Sequence, residues 1–105
     1  MRISEKIVVG EKVNKHANEI LKALAGNRPV KKGGWYAVTT APTAGGQMYI
    51  LPSYEVFKDY YREHDVKVLG IAGSRKEACR IVEKLVLACD ETGQIGRLKE
   101  YLSDF

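Results

Sequence analysis

A chain of 105 residues, 45% hydrophobic and 29% charged, has the profile of one small soluble domain, residues 1–105, with a single core and no room for a second domain. Its formal charge of +4 is uneven, with eight Lys or Arg against three acids in residues 1–34 and nine against ten in the remainder. No apolar run approaches the ~20 residues that span a bilayer, and Glu5, Lys6, Glu11 and Lys12 interrupt the apolar IVV on both sides, so the expectation is no membrane, no secretion signal and a cytoplasmic location.

In chain order, Ile3, Ile7, Val13, Ala17, Ile20, Leu21 and Leu24 recur at spacings that predict one long helix ending at Gly26-Asn27. Gly10 is its weak point. A helix beginning near Glu11 would leave Lys6 to Val9 as a short strand, and the order β-α-β-β-α-β-α would then suggest a ferredoxin-like sheet. The continuous helix is preferred because IVV is very short for a strand.

After Arg28-Pro29 and the Lys31-Lys32-Gly33-Gly34 loop come WYAVTTA, PTAGG and QMYILP, two β-branched and aromatic runs around a turn, which predict a hairpin. Pro52-Ser53 stops the second strand, and Ser53 can cap a helix from Tyr54 to about His64. Val66 to Ile71 reads as a buried strand. Ser74 and Glu77 then have the form of a capping box opening a helix from Arg75 to Cys89. Asp90 to Gly93 breaks it, and Ile95, Leu98, Leu102 and Phe105 mark a last short helix. The expected fold is therefore α+β, α-β-β-α-β-α-α, with a three-stranded sheet packed by helices.

Three surfaces invite a function. Gly73 and Ser74, with Arg75 and Lys76, place glycine and a helix start where backbone N–H groups can meet an anion, yet the pattern is neither a P-loop nor a dinucleotide fingerprint. A tight turn with a cap explains it as well. Arg28, Lys31 and Lys32 could meet phosphates while Trp35 or Tyr36 stacks a base, against the plainer reading that Trp35 fills the core. Tyr49, Tyr54, Tyr60, Tyr61 and Tyr101 suggest an aromatic protein-binding surface. Tyr60 and Tyr61 are adjacent, so on a helix they point about 100° apart and one is expected outside.

Catalytic and metal signatures are weak. His16 and His64 stand apart, Cys79 and Cys89 lie ten positions apart on one helix and cannot pair, and no spacing of ligands suits a metal. The expected role is a small non-enzymatic interaction or regulatory module without a cofactor, self-associating or binding another protein through Tyr60, Tyr61, Leu98, Leu102 and Phe105. Nucleic-acid binding through the basic N-terminal third is the alternative. A phosphate-ligand enzyme using the Gly73-Ser74 turn is the third reading.

Overall fold

Residues 2–9 form a strand, not the start of a helix. The computed structural model describes residues 1–26, 28–29, 33–41, 48–93 and 97–105. Its elements are β1 (Arg2–Val9), a 3-10 segment (Glu11–His16), α1 (Ala17–Gly26), β2 (Tyr36–Thr40), β3 (Met48–Pro52), α2 (Asp59–Glu63), β4 (Lys67–Ala72), α3 (Arg75–Glu91) and α4 (Leu98–Asp104). Met1, Ile3, Ile7 and Val9 all pack towards one core while Val8 packs towards the other. A spacing of four is common to a strand's period of two and a helix's of 3.6, so Ile3 and Ile7 alone do not separate the two.

Among the described residues the sheet has four strands, not three, in the order β1-β4-β2-β3. β1 runs parallel to β4, whereas β2 runs antiparallel to both β4 and β3. The element order follows the alternative expectation with one further helix, but the sheet is not ferredoxin-like. Only β3-α2-β4 joins parallel strands around an intervening one, and β1 and β2 run in opposite directions. The result is one small compact α+β domain.

Every residue of β4 is buried, because strands flank it on both sides and helices cover both faces. Val38 pairs with Gly70 and Thr39 with Val68, so Leu69 is an extra residue on β4. That bulge switches the facing of the strand: Val68 and Ile71, three apart, join the core under α1 and α2, while Leu69 and Ala72 join the core under α3. The first core holds Ile20, Leu24, Trp35, Leu51, Val56 and Tyr61. The second holds Val38, Ala78, Ile81, Leu85 and Leu102.

The helix expected from Tyr54 is shorter than its pattern suggests. Glu55 and Val56 donate their N–H groups to the Pro52 carbonyl, turning the chain before α2 begins at Asp59, and the residue at its N-cap is Lys58, not Ser53. Asp65 then takes a left-handed φ of 53°, where its carboxylate accepts from Arg2 Nε at 2.8 Å. Among the described residues no helix is long and apolar enough to cross a membrane.

Candidate functional site

The exposed aromatic rings gather on one rim of the molecule, where β3 ends and α2 begins. Strand order makes β3 an edge of the sheet. Its five residues carry no charge, and Tyr49 is 36% exposed. Beyond Pro52, Val56 is wholly buried and Phe57 sets its ring at 88° to that of Trp35, centroids 6.0 Å apart. These two anchors hold the turn against the core and leave Tyr54 outside, 78% exposed.

On α2 the adjacent tyrosines part as their helical spacing requires: Tyr61 is buried and Tyr60 is 46% exposed. The two rings meet edge to face at 5.2 Å, and His64 lies over Tyr60 at 4.2 Å with its Nδ1 at 2.7 Å from the Tyr60 carbonyl oxygen. The Tyr61 hydroxyl donates to Glu55 Oε1 at 3.4 Å, and Glu55 also pairs with Lys58 at 2.9 Å. Burial, and then the Glu55 carboxylate, hold the Tyr61 phenol above its ordinary pKa. The hydrogen bond and charge of Glu55 likewise raise Lys58. Tyr60 is thus a braced ring on a short helix, and its neighbours are spoken for.

The glycine turn at the opposite edge is already filled by the chain's own carboxylate. Ser74 caps α3 by accepting from the Glu77 N–H at 3.1 Å. Glu77 reaches back one residue further than a capping box does, taking the Gly73 N–H on Oε1 at 2.8 Å and the Lys12 N–H on Oε2 at 3.3 Å. A Cβ at Gly10 would collide with that carboxylate, and one at Gly73 with Lys12. Only glycine lets the ends of β1 and β4 approach this closely. Arg75 and Lys76 are exposed in the first turn of α3. Beside the turn is a cavity of about 220 Å³ lined by Lys12, Val13, His16, Trp35 and Gly73 among others.

The chain matches no family model, no curated protein and no solved structure.

The basic segment offers less than its composition suggests. Arg28 is exposed and its N–H bonds the Ala23 carbonyl at 2.9 Å, while Lys31 and Lys32 lie outside the described residues. Trp35 is buried edge-on to Phe57, and Tyr36 is half-buried on the other face of the sheet, so neither presents an open ring to a base. Among the described residues no group of three or more His, Cys, Asp or Glu could hold a metal ion.

The last helix packs on its own sheet. Leu102 is buried, and Leu98, Tyr101 and Phe105 pack half-buried around it. Lys67 Nζ donates to the Ser103 carbonyl at 3.0 Å, and Ser4 Oγ donates to the Phe105 carbonyl, so both termini of the described chain are tied together. Burial, and then Arg2, lower the Lys67 pKa. Of Tyr60, Tyr61, Leu98, Leu102 and Phe105, only Tyr60 stands well out from the surface. What sequence reasoning did not see is the second reach of Glu77 and the tie made by Lys67, since both join residues more than thirty positions apart.

Proposed function

We propose that this chain is a non-enzymatic protein-interaction module whose contact surface is the β3-α2 rim, with Tyr49, Tyr54 and Tyr60 as its anchors. The observation that carries the reading is one of distribution: every exposed Tyr, Trp or Phe among the described residues falls between positions 49 and 60, beside an uncharged strand edge. Tyrosine is enriched at protein interfaces because it offers a large rigid apolar ring with a polar tip. The other large apolar residues exposed among the described ones, Val86 and Leu87, stand on α3, Leu87 close to Arg80, Glu83, Lys84 and Glu91, in the manner of an ordinary solvated helix face.

A photo-crosslinking amino acid placed at position 54 or 60 in cells tests the reading, with position 84 on α3 as the control. Discrete covalent adducts are expected from 54 and 60 and none from 84. Equal labelling at all three positions, or no adduct from the rim, would remove the β3-α2 surface from consideration.

A further inference from the structure

We infer that the partner seated on this rim is a second copy of the chain, joined antiparallel through β3 with Tyr49 on the two-fold axis. The inference rests on the rim being an interaction surface and adds the identity and register of what binds there.

The hydrogen-bonding direction of β3 follows from its inner neighbour. The Ser53 N–H donates to the Trp35 carbonyl at 2.9 Å, and the register from Tyr36–Pro52 to Thr40–Met48 is unbroken. Ser53, Leu51 and Tyr49 therefore turn their backbone groups inward to β2, and Pro52, Ile50 and Met48 turn theirs outward. Pro52 has no N–H to offer, and its carbonyl already accepts from Glu55 and Val56. The outward row that meets no partner among the described residues is the N–H and C=O of Met48 and of Ile50.

That short row is self-complementary in one register. Met48 opposite Ile50 of the second copy, and Ile50 opposite its Met48, exchange both N–H···O bonds in each pair and leave nothing unpaired between them. A register centred on Ile50 would instead set Met48 against Pro52, which cannot donate. Tyr49 then faces Tyr49 of the other copy across a non-hydrogen-bonded position, where Cα atoms sit about 4.5 Å apart and side chains meet closely.

Charge agrees with a self-contact. No charged side chain lies between Met48 and Pro52, and the nearby Glu55 and Lys58 are paired with each other, so the two-fold brings no like charges into opposition on the strand. β1, the other edge, exposes Arg2, Glu5 and Lys6 and breaks its ladder to β4 between Ile3 and Val8. Charges and irregular pairing protect an edge, and only β1 has both. A strand of this length buries less than a standard interface, so the dimer is a weak one, with Kd on the order of 0.1 mM.

Sedimentation equilibrium of the purified chain up to ~1 mM, a range set by that weak-interface expectation, is the first test, with Tyr49→Lys as the variant that places like charges on the axis. A concentration-dependent rise in mass, absent in Tyr49→Lys, is expected. The second test is covalent: Tyr49→Cys in a Cys79→Ser background is expected to form an intermolecular disulfide under mild oxidation much faster than Tyr54→Cys, since 4.5 Å is within disulfide range. A chain that stays monomeric at every concentration overturns the second-copy partner, while the rim reading still stands or falls by its photo-adducts. A dimer that survives Tyr49→Lys, or that cross-links no faster at position 49 than at 54, overturns the strand pairing.

Discussion

The two edges of the sheet are built in opposite ways. β1 is knitted into the rest of the chain: Arg2 holds Asp65, Ser4 holds Phe105, the turn after Val9 is bound through Glu77, and α1 lies across it. β3 has β2 on one side and tyrosines near its other, and its outward backbone groups meet no strand among the described residues. An edge that is charged, broken and tied down serves the fold, whereas one left plain and uncharged is available for contact. The division of labour follows from where the polar partners were placed.

The contrast can be broken most directly through α1. Leu24 is wholly buried on the helix that covers β1, and Leu24→Ala is expected to lower unfolding free energy by about 2–5 kcal/mol in urea titration. A loss below half of that lower bound would show that β1 does not depend on its cover. Glu77→Ala comes next, at about 1–3 kcal/mol, because it strips the Gly73 and Lys12 N–H groups of their acceptor. Glu77→Gln keeps an acceptor oxygen and is expected to recover part of the loss. An unchanged urea midpoint in Glu77→Ala would make the knitting of this edge cosmetic.

On the β2–β3 side the expected sign reverses. Thr39 is fully buried between its partners Tyr49 and Val68, and its hydroxyl has no hydrogen-bond partner among the described residues. Thr39→Val removes that uncompensated burial and is expected to raise the thermal midpoint, by an amount equivalent to about 1 kcal/mol. A fall in the midpoint would mean the hydroxyl is satisfied.

Alkaline titration separates the two regions again. Lys67, near the start of β1, has a lowered pKa, so the folded chain binds fewer protons than the unfolded one in the window below 10.5, and its contribution to stability grows as pH rises through that window. Tyr61, beneath the tyrosine rim, has a raised pKa; its folded form keeps the proton longer, and stability is lost as pH climbs from 10.0 through the folded value. Tyr61→Phe is expected to flatten the alkaline fall, and Lys67→Met to remove the preceding rise. Stability curves of the two variants that run parallel to the unaltered chain at every pH would contradict both assignments.

The smallest effect sharpens the comparison most. Tyr54→Ala touches a ring that is 78% exposed, and monomer stability is expected to move by less than about 0.5 kcal/mol. A larger loss would make Tyr54 part of the fold and not of the contact surface.

Local pattern carried what local physics decides. The run from Val66 to Ile71 is apolar enough to announce a buried strand, Ser74 and Glu77 announce the start of α3, and the adjacency of Tyr60 and Tyr61 requires one of them to face out. The hairpin follows from β-branched and aromatic runs around a turn, although residues 42–47 of that connection lie outside the described residues. These are short-range rules of periodicity, capping and helical geometry.

What only tertiary structure decided is everything that depends on a distant neighbour. Arg2–Val9 became a strand because β4, more than sixty positions away, offers it a parallel partner, and an i, i+4 pair of isoleucines fits either element until that partner is present. The same distance hid the second reach of Glu77 to Lys12, at the turn for which the sequence left a capped turn and an anion site as the two readings. That Tyr49 stands on an edge strand was settled by the strand order, since β3 lies at an edge only because β2 pairs with β4 on its other side. Sequence fixes the periodicity of each segment locally, but burial and exposure belong to the assembled sheet.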